Sequence, residues 1–201
     1  MPKGLAVGVA LGVVGLGLAR FAFVPPEDAT HYHANWAVFV DGERLDLTDE
    51  RFMEDVSSCT TVDGQVTPQS RVHMHDGDMD VVHVHQPGAT WGHLMLNLGI
   101  GIGEGYVITP DGERLFNDAD RRLKFVLNDG SLSSVHNELI TSEDRLLISY
   151  GPESLDDVAR TQFPQVAHSA TEFNTREDPP SCSGGHEPLS IWDRLRGAFW
   201  G

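Results

Sequence analysis

Six of the ten histidines in this 201-residue chain stand in three His-x-His pairs. His31 and His33 lie in ATHYHANWAVFVDGE; His73/His75 and His83/His85 lie in RVHMHDGDMDVVHVHQPG. Random placement of ten histidines would give about 0.45 such pairs, so composition alone does not account for three. On a β-strand residues i and i+2 share a face, about 6.7 Å apart along the chain. If DGDMD closes a turn, His73 falls opposite His83, Arg71 opposite His85 and His75 opposite Val81, with cross-strand neighbours about 5 Å apart. Four imidazoles then crowd one face of a hairpin. His31 and His33 supply a third pair if the strand after them lies alongside.

Crowded imidazoles repel when protonated and carry unsatisfied polar atoms when buried. Three uses remain open: binding a divalent metal ion, responding to protons, or hydrogen bonding to the acidic turn Asp76/Asp78/Asp80. Neutral imidazole is the commonest protein ligand for Zn, Cu and Ni. The expected ligand set is therefore His31, His33, His73, His75, His83 and His85. With no thiolate among them, the expected ion is Zn or Cu.

Other chemistries fit less well. DGDMD resembles the opening of a calcium loop, but Val81 stands where the sixth-position glycine belongs and Pro87 where the terminal glutamate belongs. A cupin arrangement needs a glutamate shortly after the histidine pair, and HVHQPGATWGH has none. No G-x-S-x-G, H-E-x-x-H, C-x-x-C or P-loop pattern occurs. A metal-dependent hydrolytic or redox enzyme stays open, with Asp76, Asp78 or Asp80 as base. So does an envelope domain whose histidines only stabilise a hairpin. His93 is expected to be an exposed helix residue, with a further ligand as the alternative; His136 and His168 have no partner in sequence.

These side chains need strands to hold them, and the fold class expected is mainly β (α+β): a small hairpin-built sheet domain with one or two short helices. Asp41-Gly42 in WAVFVDGERLDL is a type I′ turn signal. YVITPDGERLFN repeats it at Asp111-Gly112, LKFVLNDGSL offers a turn at Asp129-Gly130, and DRLLISYG reads as a last strand. GATWGHLMLNLG is the best-supported helix: Trp91, Leu94, Met95 and Leu98 share a face, Thr90 caps it and Gly99 ends it. TDERFMEDV and SLDDVARTQF are shorter candidates. GIGIGEG at 99–105 lacks the lysine of a phosphate loop and reads as a flexible connector.

Flanking segments set the context. GLAVGVALGVVGLGLARFAFV, residues 4–24, is apolar except for Arg20. As a helix it rises about 31 Å, enough for a hydrocarbon core of about 30 Å. A retained single transmembrane span over 1–24 is expected rather than a cleaved signal peptide, followed by a linker at 25–30. The β-rich domain is expected over 31–151, an irregular tail with a short helix over 152–189, and an amphipathic helix over 190–201. That last helix has the tryptophans and arginines of a bilayer interface, with docking on the domain as the alternative. A formal charge of −16 excludes a nucleic-acid-binding face by repulsion. The only two cysteines, Cys59 and Cys182, are expected to pair as a disulfide in a domain outside the cytoplasm. The alternative makes Cys182 and His186 metal ligands.

HYHANWAVFVDGE and HMHDGDMDVVHVHQPGATWGHLMLNLG together resemble a family of uncharacterised, membrane-anchored bacterial and archaeal proteins, across residues 31–100. The resemblance implies domain identity and a membrane tether; it carries no activity. The expected function is thus a membrane-anchored extracytoplasmic domain that binds a transition metal.

Overall fold

The computed structural model describes residues 3–23, 30–54, 68–176 and 191–200. Cys59, Cys182 and His186 lie outside them, and with them the expected disulfide and its metal-ligand alternative. The chain divides into two compact units, residues 30–184 and a second made of 1–29 with 185–201.

In the larger unit, a mixed sheet has the strand order β3-β4-β1-β10-β8-β9. Its members are β1 (Tyr32–Val40), β2 (Glu43–Arg44), β3 (Val72–His73), β4 (Val81–Val84), β8 (Arg122–Leu127), β9 (Gly130–Leu132) and β10 (Arg145–Gly151), with β2 paired to β1 alone. A three-stranded meander joins β5 (Gly101–Gly103), β6 (Tyr106–Ile108) and β7 (Arg114–Phe116). The chain is thus an α+β domain with short helices, as expected, but hairpins do not build its centre. There β1 and β10 run parallel, from Asn35 beside Arg145 to Val40 beside Tyr150. Parallel neighbours need a long crossover, and alternation within a strand says nothing about which remote strand will lie beside it.

Turn chemistry decides the local joints. Asp41 (φ 48°) and Gly42 (φ 83°) both adopt the left-handed conformation that a two-residue type I′ turn requires. Between β8 and β9 the loop is Asn128-Asp129, one position earlier than expected. Asn128 tolerates φ 53° and is held there, because its Oδ1 accepts from Arg145 N at 2.9 Å. The middle of GIGIGEG, Gly101–Gly103, forms a strand, β5, rather than a flexible connector.

Each face of the sheet has its own cover. A single-turn helix, α2 (Pro68–Arg71), leads into β3. Ala34, Trp36 and Val38 of β1, Val72 and Met74, and Val82 and Val84 of β4 face the main core with α3 (Trp91–Asn97). Thr90 caps α3 as expected, and its partner in a capping box is His93. Ala37 and Phe39 point the other way, onto a second cluster with Val126, Leu147, Val158 and Val166. That cluster is roofed by chain after residue 151: α4 (Leu155–Thr161), a 3-10 turn at Phe163–Gln165 and α5 (Ala170–Phe173). Covered on both faces, β1 is buried along nearly its whole length.

In the smaller unit, α1 (Lys3–Phe23) and α6 (Ile191–Trp200) are both helical and pack together. A Cβ placed on Gly17 would lie 2.2 Å from the Phe199 ring, so a side chain there would have to push that ring aside. The expected transmembrane span meets a limit here. Among the described residues no helix is long and apolar enough to cross a membrane, and the side chains of residues 3–6 and Ala10 are not among those described.

Candidate metal centre

Alternation along three adjacent strands places the histidines. With Trp36 and Val38 committed to the main core, His33 and Asn35 turn to the opposite face, and the same parity holds for His73 and His83. Register then aligns them: His33 lies opposite His83 across β1–β4, and His73 opposite His83 across β3–β4. His85 N donates to Arg71 O at 2.9 Å, completing the pairing that the spacing predicts. The turn after His75 runs through Asp76 (φ 60°) and Gly77 (φ 71°) and closes with Asp78 N donating to His75 O.

All six rings meet in one cluster, arranged as two files of three. His33, His83 and His75 form one file, with neighbouring centroids 4.4 and 3.7 Å apart. His31, His85 and His73 form the other, stacked at 4.6 and 4.8 Å with interplanar angles of 14° and 18°. Rungs of 4.7 Å (His31–His33) and 5.8 Å (His73–His75) tie the files together. His33, His73, His75 and His83 are buried; His31 and His85 are half-buried.

Three of the rings have a fixed tautomer. His73 Nδ1 donates to the Gln69 carbonyl at 2.6 Å, and His75 Nδ1 donates to Asp76 Oδ2 at 2.9 Å. Asn174 Oδ1 accepts from His33 Nδ1 at 2.8 Å and from His33 N at 2.9 Å. The amide is oriented by its nitrogen, which donates to Ser142 Oγ. A ring holding its proton on Nδ1 presents a basic Nε2, so His33, His73 and His75 each turn a ligand nitrogen inward.

Counting protons exposes a conflict at the centre. His83 Nδ1 lies 2.9 Å from His33 Nε2 and 3.0 Å from His75 Nε2. Both neighbours are acceptors, and a neutral His83 has at most one proton to give at that atom. One short contact is therefore lone pair against lone pair unless a cation sits there. Additional protons are poorly suited to the role. Burial, then the neighbouring histidines His75, His33, His73 and His85, hold His83 far below the usual imidazole range. Desolvation lowers His73 to about 4 and His85 to about 2, with neighbouring histidines adding to the shift. Near pH 7 these rings are neutral, which is the ligand form.

Among the described residues, His31, His33 and His83 offer ligand nitrogens that all lie within 4.8 Å of one another. A tetrahedral ion with bonds of about 2.0–2.1 Å separates its ligand nitrogens by about 3.3 Å. The His33–His83 contact need open by only a few tenths of an ångström to admit one. The remaining expected ligands, His73, His75 and His85, adjoin this trio without belonging to it.

The acidic loop has other work. Asp80 pairs with Arg44, Asp78 Oδ1 accepts from Asp80 N, and Asp76 holds His75, so these carboxylates serve the turn and its surroundings. His93 Nδ1 accepts from Thr90 N at 3.0 Å, spending its ring on the helix cap. His136 and His168 are exposed.

Sequence reasoning missed the cover. Phe173 packs its ring 5.6 Å from His33 and 5.9 Å from His83. Ala170 N donates to Asn35 Oδ1, which seats α5 on β1. Asn174 and Phe173 come from a stretch with no periodicity and lie about 140 positions from His33, so only the fold brings them there. Compared with family models, curated proteins and solved structures, the chain matches none.

Proposed function

We propose that this protein binds a transition-metal ion, Zn or Cu, through imidazole nitrogens on one buried face of its sheet. The observation that carries the reading is the His31/His33/His83 trio, with ligand nitrogens within 4.8 Å. His33 is set in its ligand tautomer by Asn174. A thiol-free imidazole set suits either ion, and carboxylates that orient rather than ligate make a hard cation a poor match. Phe173 over the rings limits water and raises the cost of any unpaired charge beneath it.

The tether belongs to the same proposal. A 21-residue helix, Lys3–Phe23, whose sequence is apolar from Gly4 to Ala19, anchors the chain to a membrane with the sheet domain outside the cytoplasm. Exposed Ile191 and Trp192 on α6 suit the interface of that membrane. Carbonate extraction of membranes from expressing cells checks it: the full chain is expected to stay in the pellet, and release into the supernatant would remove the span.

A structural polar network is the second reading, favoured by the short imidazole nitrogen contacts that link His33, His83 and His75, one of which a neutral His83 can make as a hydrogen bond. The two readings separate on metal content. Purified full-length chain, dialysed to equilibrium against micromolar Zn or Cu at near-neutral pH, is expected to retain at least about one ion per chain in elemental analysis. Fewer than roughly 0.2 would leave the polar network.

A further inference from the structure

We infer that α5 is a strap whose closure is coupled to metal binding at the His31/His33/His83 site: the bound ion holds the strap down, and the closed strap raises affinity for the ion. This rests on the metal-binding reading above. Four residues are too few for a helix to stand alone, and Ser169 supplies no side-chain cap. Between Ser169 and Arg176 only Ala170 is fully buried. Hydrogen bonds to the rest of the domain hold the segment in place. Ala170 N donates to Asn35 Oδ1 at 2.9 Å, and Asn35 Nδ2 donates to Ser169 Oγ at 3.1 Å. At the other end Asn174 Oδ1 accepts from His33 N and Nδ1, while its Nδ2 donates to Ser142 Oγ. A segment held by so little buried surface opens locally before the sheet does.

Two contacts link that opening to the ion. Phe173 lies 5.6 Å from His33 and 5.9 Å from His83, two of the three ligands, each only 1 % exposed. Lifting the strap therefore uncovers them to water. Asn174 is the tighter link. An ion on His33 Nε2 requires the ring proton on Nδ1 and polarises that N–H, so the bond to Asn174 Oδ1 strengthens when metal is bound. Conversely, opening the strap frees His33 to turn or change tautomer and weakens its hold on the ion. Whatever factor closure adds to affinity, the ion must add to closure. Hydrogen bonds to a ligating histidine are worth about 10–100-fold in affinity.

Hydrogen exchange read by mass spectrometry tests the coupling, on the full-length chain metal-free and saturated with Zn at about pH 7.5, with elemental analysis of the same samples. Zn is expected to slow exchange across residues 169–176 about 10–100-fold. It should leave α4 nearly unchanged, since Val158 of that helix packs with Val126 and Leu147 rather than with the rings. In Asn174→Ala the Zn-dependent slowing should vanish, and Zn affinity should fall by about the factor that the wild type shows in exchange. Asn174→Asp should restore both. Bound Zn without slower exchange at 169–176 overturns the strap and leaves the metal site standing. Slowing that is equal in α4, or that survives in Asn174→Ala, is general stabilisation and overturns the strap as well. No bound Zn overturns both readings.

Discussion

Asn174 touches no candidate metal position, yet it decides which nitrogen His33 can offer. Its Oδ1 takes the Nδ1 proton, and without it the ring is free to turn or to change tautomer. The side chain is exposed, so its removal leaves packing largely alone. Asn174→Ala is expected to weaken metal affinity about 10–100-fold in a chelator competition assay, with little change in stability. Asn174→Asp, which keeps the acceptor, should recover most of the loss. His83 is the other decisive residue, because it adjoins both flanking strands. His83→Gln should abolish uptake, whereas His168→Gln, at an exposed position away from the cluster, should not. Equal uptake by both variants in elemental analysis would mean that the wrong rings have been chosen.

Elements differ in how much of them the sequence makes legible. His-x-His on a strand fixes a shared face because side-chain parity has period two, and Asp76-Gly77 fixes the turn, so the register of His73 against His83 follows from local chemistry. Helix α3 is equally readable from Thr90, its apolar spacing and Gly99. The parallel β1–β10 contact and the roof of α4 and α5 are not, because long-range pairing and the docking of a polar segment depend on surfaces that form only in the fold. That is why the six rings could be named while Asn174 and Phe173 could not. Glycine positions test these elements. Gly77 has open space around it but φ 71°, so Gly77→Ala should cost about 1 kcal/mol in urea denaturation. At Gly92 a Cβ would lie 2.2 Å from the His136 carbonyl oxygen. Gly92→Ala must displace backbone, and a larger loss, more than about 2 kcal/mol, is expected by the same measurement.

For the whole molecule, a buried cluster of basic groups makes acid the adversary. Burial lowers His73 to about 4 and His85 to about 2 in the folded chain, against an unfolded value of about 6.5. Between those limits the unfolded chain binds more protons than the folded one, so stability rises with pH there. The metal-free protein should therefore hold its full stability above about pH 6.5. It should weaken as pH falls through 5 towards 4, with the His73 share exhausted near 4 and the His85 share continuing lower. Urea midpoints at pH 7.5, 6 and 5 check this, and an unchanged midpoint would show that the rings are more hydrated than their burial implies. Bound metal competes with the same protons, so ion release should begin in that window as well.

X-ray absorption at the metal edge of the Zn- or Cu-loaded, full-length protein tests the central claim most directly, since it reports the ligands themselves. The account predicts a first shell dominated by nitrogen at about 2.0–2.1 Å, with the outer-shell scattering of at least three imidazoles, and loss of that pattern in His83→Gln. A first shell of oxygen without imidazole scattering, or a spectrum that His83→Gln leaves unchanged, would contradict it.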